Sequence, residues 1–285
     1  MIERSRRMTK GYVHKIIPFS AVDGPGNRMV IFLQGCNFNC IYCHNPETIH
    51  LCNHCGICST CCPYSALDWK DGKVDWNQDL CQHCDHCIKA CPHTSSPKVR
   101  EMNVEEVISQ IQKVRPFISG ITVSGGECTL QIDFVKELFK KAKDMGLTTF
   151  LDTNGFVSMG HLKILGEDMD MAMVDLKAWD VEAHEMLTGQ ENTLVLQSIR
   201  YLAAQRKLYE VRTVIVPALL DNHETVQKTG QLLAMLDPDI RYKLIRFRPI
   251  GVRKEAANLK EPSDELMEDL MDLARKEGCK HIIIV

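Results

Sequence analysis

Long apolar runs are missing from this 285-residue sequence. Even the tail at residues 282–285 is far too short to span a bilayer, so no membrane association is expected. Residues 1–10 carry Arg4, Arg6, Arg7 and Lys10, but no apolar stretch follows at once, so no secretory signal is expected. An excess of one charge is also missing. A net charge of -3 and a pI near 6.4 speak against a nucleic-acid-binding surface covering the whole protein. What the chain has in abundance is cysteine. Twelve of its 14 cysteines lie between Cys36 and Cys91, leaving only Cys128 and Cys279 outside. A disulfide framework suits a short secreted chain, and this one is neither short nor marked for export. Clustered thiols in a reducing compartment bind metal, and the expected location is cytoplasmic.

Outside that stretch, strand-like runs at 29–33, 120–123, 148–151, 171–176, 211–216 and 242–247 alternate with helical patterns. Val104, Val107, Ile108 and Ile111 repeat at helical spacing, and Asn103 with Glu106 makes a cap. Ile132, Val135, Leu138, Phe139 and Ala142 trace a second stripe. Leu232, Leu233 and Leu236 mark a third, and Leu266, Leu270 and Leu273 a fourth. Such alternation predicts an α/β fold with a parallel sheet and right-handed crossovers, either open or closed into a barrel. Residues 45–98 break the rhythm: few long apolar runs, nine cysteines and two similar halves. They read as an insertion between 1–44 and 99–285, organised by metal because so short a segment makes a poor core alone.

Cys36-x3-Cys40-x2-Cys43 directly follows the first strand. Three thiols in one short loop can hold a [4Fe–4S] cube and leave one iron without a protein ligand, as a cluster acting on a small molecule requires. The competing readings are three zinc ligands awaiting a fourth, although zinc favours paired C-x2-C units, or buried structural thiols. In the insertion, Cys52-x2-Cys55-x2-Cys58-x3-Cys62-Pro63 is followed by Cys81-x2-Cys84-x2-Cys87-x3-Cys91-Pro92. This is the bacterial ferredoxin run given twice, in which the fourth cysteine of each run serves the other cluster. One cube would take Cys52, Cys55, Cys58 and Cys91, the other Cys81, Cys84, Cys87 and Cys62. A pair of zinc ribbons is the alternative. Cys61 is surplus and could compete with Cys62.

The run Asp23-Gly24-Pro25-Gly26-Asn27-Arg28, with Phe32 and Gly35-Cys36 through Cys43-His44-Asn45, resembles the signature of the radical S-adenosylmethionine enzymes that activate glycyl-radical enzymes. The doubled cysteine run resembles the activases with extra clusters, of the YjjW type. The family implies a partial (β/α)6 radical-SAM barrel with S-adenosylmethionine at the C-terminal ends of the strands. Here it would carry an inserted bacterial-type 2[4Fe–4S] ferredoxin domain and three clusters in all. Cys36, Cys40 and Cys43 would be catalytic, with Tyr42, Cys43 and His44 touching the cofactor. The implied chemistry is reductive cleavage of S-adenosylmethionine to a 5′-deoxyadenosyl radical that takes hydrogen from a glycine of a partner enzyme.

Further contacts are implied by the same resemblance. Gly125, Gly126 and Glu127 match the motif that holds the methionyl ammonium; in this chain Cys128 follows where the family has Pro or Ala, and it reads as packing. Asp175, Leu176 and Lys177 match a second cofactor-contacting motif. Asp152, Thr153, Met173 and Asp175 match positions that bind a monovalent cation. Arg212 matches a residue lining the peptide channel. Arg248 stands where pyruvate formate-lyase activase has a cofactor-contacting His, so its role is open between an adenosine edge and the methionine carboxylate. The implied partners are a glycyl-radical enzyme and a low-potential donor such as flavodoxin or ferredoxin, with the insertion clusters relaying electrons or acting as scaffold. Two other readings remain: a radical S-adenosylmethionine enzyme acting on a small metabolite or other peptide, and a ferredoxin-like electron carrier.

Overall fold

The computed structural model describes residues 9–217 and 219–285. Arg4, Arg6 and Arg7 lie outside the described residues. The chain opens with β1 (Lys10–Ser20) and β2 (Arg28–Leu33). The inserted stretch follows, with α1 (Ile57–Thr60), β3 (Leu67–Lys70), β4 (Lys73–Trp76) and α2 (His86–Ala90). β5 (Arg100–Asn103) then leads into α3 (Val104–Val114), β6 (Gly120–Gly125), α4 (Ile132–Asp144), β7 (Thr148–Thr153), α5 (Met159–Gly166) and β8 (Met171–Asp175). Two helices, α6 (Val181–Thr188) and α7 (Thr193–Ala204), precede β9 (Leu208–Ile215). The chain ends with α8 (Asn222–Leu236), β10 (Arg241–Arg246), α9 (Asp264–Lys276) and β11 (Ile282–Ile284).

Nine strands form one sheet in the order β11-β10-β9-β8-β7-β6-β2-β1-β5. The six expected strands are β2 and β6 through β10, all pairing in parallel. β2, β6, β7 and β8 have mainly apolar, buried central residues, as strands covered on both faces must, whereas β9 and β10 carry Glu210, Arg212 and Lys243. β11 extends the parallel set, whereas β1 pairs antiparallel with both β2 and β5. The two edges, β5 and β11, do not meet, so the sheet is open rather than a closed barrel. The reading from sequence omitted the edge strands β5 and β11, the strand β1 beside β5, and the helices α5 to α7. β1 is punctuated by Lys, His and Pro and is largely half-exposed, so it carries little apolar alternation. The expected cap of α3 is present in full: Asn103 Oδ1 accepts from Glu106 N at 3.0 Å and Glu106 Oε2 accepts from Asn103 N at 2.7 Å.

Arg28 explains part of the run that precedes β2. Its side chain is fully buried, with Nε donating to Thr122 Oγ1 at 2.9 Å and Nη2 to the Ile121 and Thr148 carbonyls at 2.6 and 3.0 Å. The guanidinium also lies 4.2 Å from the Phe150 ring centroid, a cation–π contact. Burial without a carboxylate partner pulls its pKa down to about 10. The side chain pins the β1–β2 connection against the β6 and β7 strands.

The inserted stretch has its own small core of Cys58, Leu67, Val74 and Cys87. β3 and β4 form a hairpin whose turn residues Asp71 and Gly72 both have positive φ, 49° and 75°, as an Asp-Gly turn of this kind requires.

Candidate active site

β2 ends at Leu33, and the following loop is held from both sides by backbone. Gly35 N donates to Thr48 O at 2.8 Å and Cys36 N to Ile49 O at 2.9 Å. Across the loop, Asn39 N and Ile41 N donate to the Thr188 and Leu187 carbonyls at 2.7 and 2.9 Å. These are last-turn carbonyls of α6, which a helix leaves without internal partners. His184 of the same helix is fully buried against Phe38, with ring centroids 5.4 Å apart. Two side chains complete the clamp. Asn154 Nδ2 donates to Asn37 Oδ1 at 2.8 Å, and Arg253 donates to Asn39 Oδ1.

The loop thus turns Cys36, Cys40 and Cys43 into one cavity of about 320 Å³ at the C-terminal ends of β2, β6, β7 and β8. Burial pushes the Cys36 thiol up to about 12 and the Cys40 thiol to about 11, and raises Cys43 as well. Without metal these are neutral thiols, and ligation would release their protons. Among the described residues, no three Cys, His, Asp or Glu side chains close on a point as ligands of a single ion do.

Gly125 and Gly126 line the same cavity, and the glycines are demanded by the fold itself. A Cβ on Gly125 would stand 2.2 Å from Leu33 O, and one on Gly126 would stand 2.3 Å from Gly35 O. Glu127 is placed differently from the expectation of a carboxylate offered to an ammonium group. It is 1% exposed and does not line the cavity. Its Oε1 accepts from Thr129 N, Thr129 Oγ1 and Thr153 Oγ1 at 3.0, 2.6 and 2.8 Å, and its Oε2 accepts from Asn154 N at 2.7 Å. Burial raises its pKa against these hydrogen bonds. The carboxylate ties together the chain ends after β6 and β7.

Asp175 and Lys177 both face the cavity and pair at 2.7 Å. Burial would discharge Lys177, but the Asp175 carboxylate overcomes it and holds the ammonium well above its ordinary pKa. Leu176, between them, points away into the core and donates its backbone N–H to Arg212 O at 2.9 Å. Tyr42 and His44 line the cavity, and the His44 ring Nε2 donates to the Arg248 carbonyl at 2.9 Å. Arg248 itself is exposed and outside the lining, so its link to the site is this carbonyl.

Of the expected cation ligands Asp152, Thr153, Met173 and Asp175, the Arg212 guanidinium contacts two. Arg212 Nη1 donates to Asp152 Oδ1 at 3.0 Å, and Nη2 lies 2.8 Å from Met173 Sδ. Arg212 Nε also pairs with Glu210 Oε1 at 2.7 Å, so its charge is balanced by the Asp152 and Glu210 carboxylates.

In the inserted stretch the two cysteine runs fold alike. His54 and His83 have φ of 58° and 52°, and the next non-cysteine positions, Gly56 and Asp85, have 82° and 60°. These left-handed turns direct the thiols inward. Cys52, Cys55, Cys58 and Cys91 line one void, and Cys62, Cys81, Cys84 and Cys87 line another, the crossed pairing expected from the spacing. Cys61 lines neither, its Sγ lying 3.2 Å from Cys58 O. Cys128 is fully buried with Sγ 3.2 Å from Asp152 O, as a packing residue. His54 is not a ligand, since its Nδ1 accepts from Val74 N at 3.0 Å. Sequence reasoning missed Asn154, His184 and Arg253. Asn154 adjoins a motif, whereas His184 and Arg253 lie in segments with no motif or periodicity to mark them.

Residues 30–233 match the Radical SAM superfamily. Over 280 residues the chain is 29% identical to the pyruvate formate-lyase-activating enzyme of Staphylococcus epidermidis, covering 92% of this chain and 94% of that one. Identity and coverage are the same with the enzyme of that name from Staphylococcus aureus, over 279 residues. Among solved structures, SuiB of Streptococcus suis bound to its precursor peptide SuiA superposes with a TM-score of 0.59 at 12% identity, over 90% of this chain and 48% of that one. QueE of Escherichia coli gives 0.52 at 13% identity, over 97% and 94%. These two likenesses concern the fold. The superfamily match runs from β2 into α8 and so takes in the loop thiols and the cavity wall that faces them, and the chain belongs to the radical SAM superfamily.

Proposed function

We propose that this protein is a glycyl-radical enzyme activase of the pyruvate formate-lyase activase kind. The observation that carries the proposal is the similarity over 92% of the chain to enzymes of that name, joined to a cavity lined by three thiols and the Asp175–Lys177 pair. Cys36, Cys40 and Cys43 would hold a [4Fe–4S] cluster with one iron open. When bound, the reduced cluster and S-adenosylmethionine supply the radical chemistry that removes hydrogen from a glycine of the partner enzyme. The chain's own residues bind and orient. Lys177 offers a charge-assisted donor that Asp175 keeps protonated, and Asp175 and Asp152 offer acceptors. Gly125 and Gly126 offer backbone without side chain, Tyr42 and His44 offer flanking rings, and Glu127 holds the loops that carry these groups. Leu176 contributes through its backbone, and Arg248 through the carbonyl that fixes His44.

The inserted stretch, 45–98, we read as a bacterial-type two-cluster ferredoxin domain between barrel segments 1–44 and 99–285, giving three [4Fe–4S] clusters from eleven cysteines and a likeness to the YjjW type. Support comes from the doubled spacing and the two four-thiol voids. Relay of electrons from a flavodoxin or ferredoxin is its natural role, in an anaerobic cytoplasm.

The test is direct. Reduced protein, S-adenosylmethionine and the cognate glycyl-radical enzyme, mixed without oxygen, are expected to develop a glycyl-radical electron paramagnetic resonance doublet. Deuterium on the target glycine is expected in 5′-deoxyadenosine. Cofactor cleavage without label transfer from any glycyl-radical enzyme of the host overturns the activase reading in favour of a small-metabolite substrate.

A further inference from the structure

The two four-thiol voids have the same backbone but different surroundings. The void of Cys52, Cys55, Cys58 and Cys91 is lined otherwise by Gly56, Ile57, Val74 and other uncharged residues. That of Cys62, Cys81, Cys84 and Cys87 is lined also by Lys98, Asp85 and Trp76. Asp85 occupies the position in the second run that Gly56 occupies in the first, so the difference interrupts an otherwise repeated design. Lys98 Nζ pairs with Asp85 Oδ1 at 2.7 Å, but the two charges are not equally felt. The Lys98 side chain is 10% exposed and that of Asp85 is 53% exposed, so water screens the carboxylate far more than the ammonium. Trp76 adds a second polarising group, since its indole Nε1 is buried with no hydrogen-bond partner among the described residues. Net charge and hydrogen bonds toward the sulfurs are the means by which a protein sets the potential of such a centre.

We propose that Lys98, assisted by Trp76, makes the two insertion clusters inequivalent, so that the one held by Cys62, Cys81, Cys84 and Cys87 is reduced first. This rests on the reading of the insertion as a two-cluster domain. The other cluster, with no charge at its wall, is the lower-potential member. Cys52 stands three residues from Ile49 of the active-site cavity, a chain distance of at most about 11 Å. The lower-potential cluster is therefore the one beside the site that needs a strong reductant.

The reconstituted full chain is titrated with dithionite at fixed potentials, and each cluster is followed by electron paramagnetic resonance. Two separate insertion couples are expected. Lys98→Met should lower the higher one and leave the other in place, Lys98→Arg should restore it, and Trp76→Phe should lower it by a smaller step. Asp85→Asn should move the same couple upward. A scaffolding role for the ion pair predicts instead that Lys98→Met and Asp85→Asn act alike. The couple that moves must be the one lost in Cys84→Ala. Unshifted couples in Lys98→Met at unchanged iron content, or shifts of the same sign in Lys98→Met and Asp85→Asn, overturn the proposal while leaving the two-cluster domain intact. Wild-type protein holding only about four iron atoms overturns the two-cluster reading and this proposal with it.

Discussion

A Cys36→Ala/Cys40→Ala/Cys43→Ala variant, reconstituted without oxygen, will keep about two thirds of the wild-type iron, as expected when one of three four-iron clusters is lost. It will cleave no S-adenosylmethionine. The expectation follows from the separation of the thiols. The three loop thiols face the large cavity, whereas the other eight line two voids of their own within the inserted stretch. The insertion's small core of Cys58, Leu67, Val74 and Cys87 is untouched by the substitutions. Iron and acid-labile sulfide analysis gives the first number, and chromatography of 5′-deoxyadenosine gives the second. Unchanged iron content, zinc in place of iron with activity retained, or continued cleavage would refute the assignment of the open cluster to this loop.

Glu127→Ala will cost on the order of 3 kcal/mol or more of folding stability, because each buried donor left unpaired costs about 1–3 kcal/mol and this carboxylate serves four. Asn154 and Thr129 are 7% and 4% exposed, so replacement partners for these N–H groups are few. Glu127→Gln keeps the shape and the acceptor Oε1 but turns an amide donor toward Asn154 N–H, so it should lose an intermediate amount. Thermal unfolding of the iron-loaded protein, beside the Kd for S-adenosylmethionine, distinguishes the two roles open to this residue. A large fall in Tm in both variants marks it as the tie between the β6 and β7 loops. An unchanged Tm with loss confined to cofactor affinity would mean that the carboxylate serves the cavity directly.

Several parts of the site were legible because the chemistry dictates spacing. Three thiols in eight residues can face one cavity, and Cys36-x3-Cys40-x2-Cys43 shows that spacing without a structure. Residues 175 and 177 share one side of a strand end by simple alternation, and Asp175 and Lys177 do meet. The six parallel strands were visible as buried apolar runs. β1 was not, since its Lys, His and Pro interrupt the alternation and much of it faces solvent. α6 has a weak stripe of its own, and its use is tertiary: the carbonyls of Leu187 and Thr188 receive the cluster loop. No local pattern foretells that a helix end will be spent on a loop nearly 150 positions earlier.

The sequence by itself determined the α/β class, the two four-thiol groupings and the convergence of Cys36, Cys40 and Cys43 in one loop, because each depends on period or spacing along the chain. The tertiary structure alone decided how charge is distributed. It gave Asp152 and Met173 to Arg212, turned Glu127 inward, and set Lys98 beside one four-thiol void and not the other. A charge can be read from the sequence, but its effect depends on which groups it faces and how much water reaches it. Both are set by packing between segments far apart in the chain.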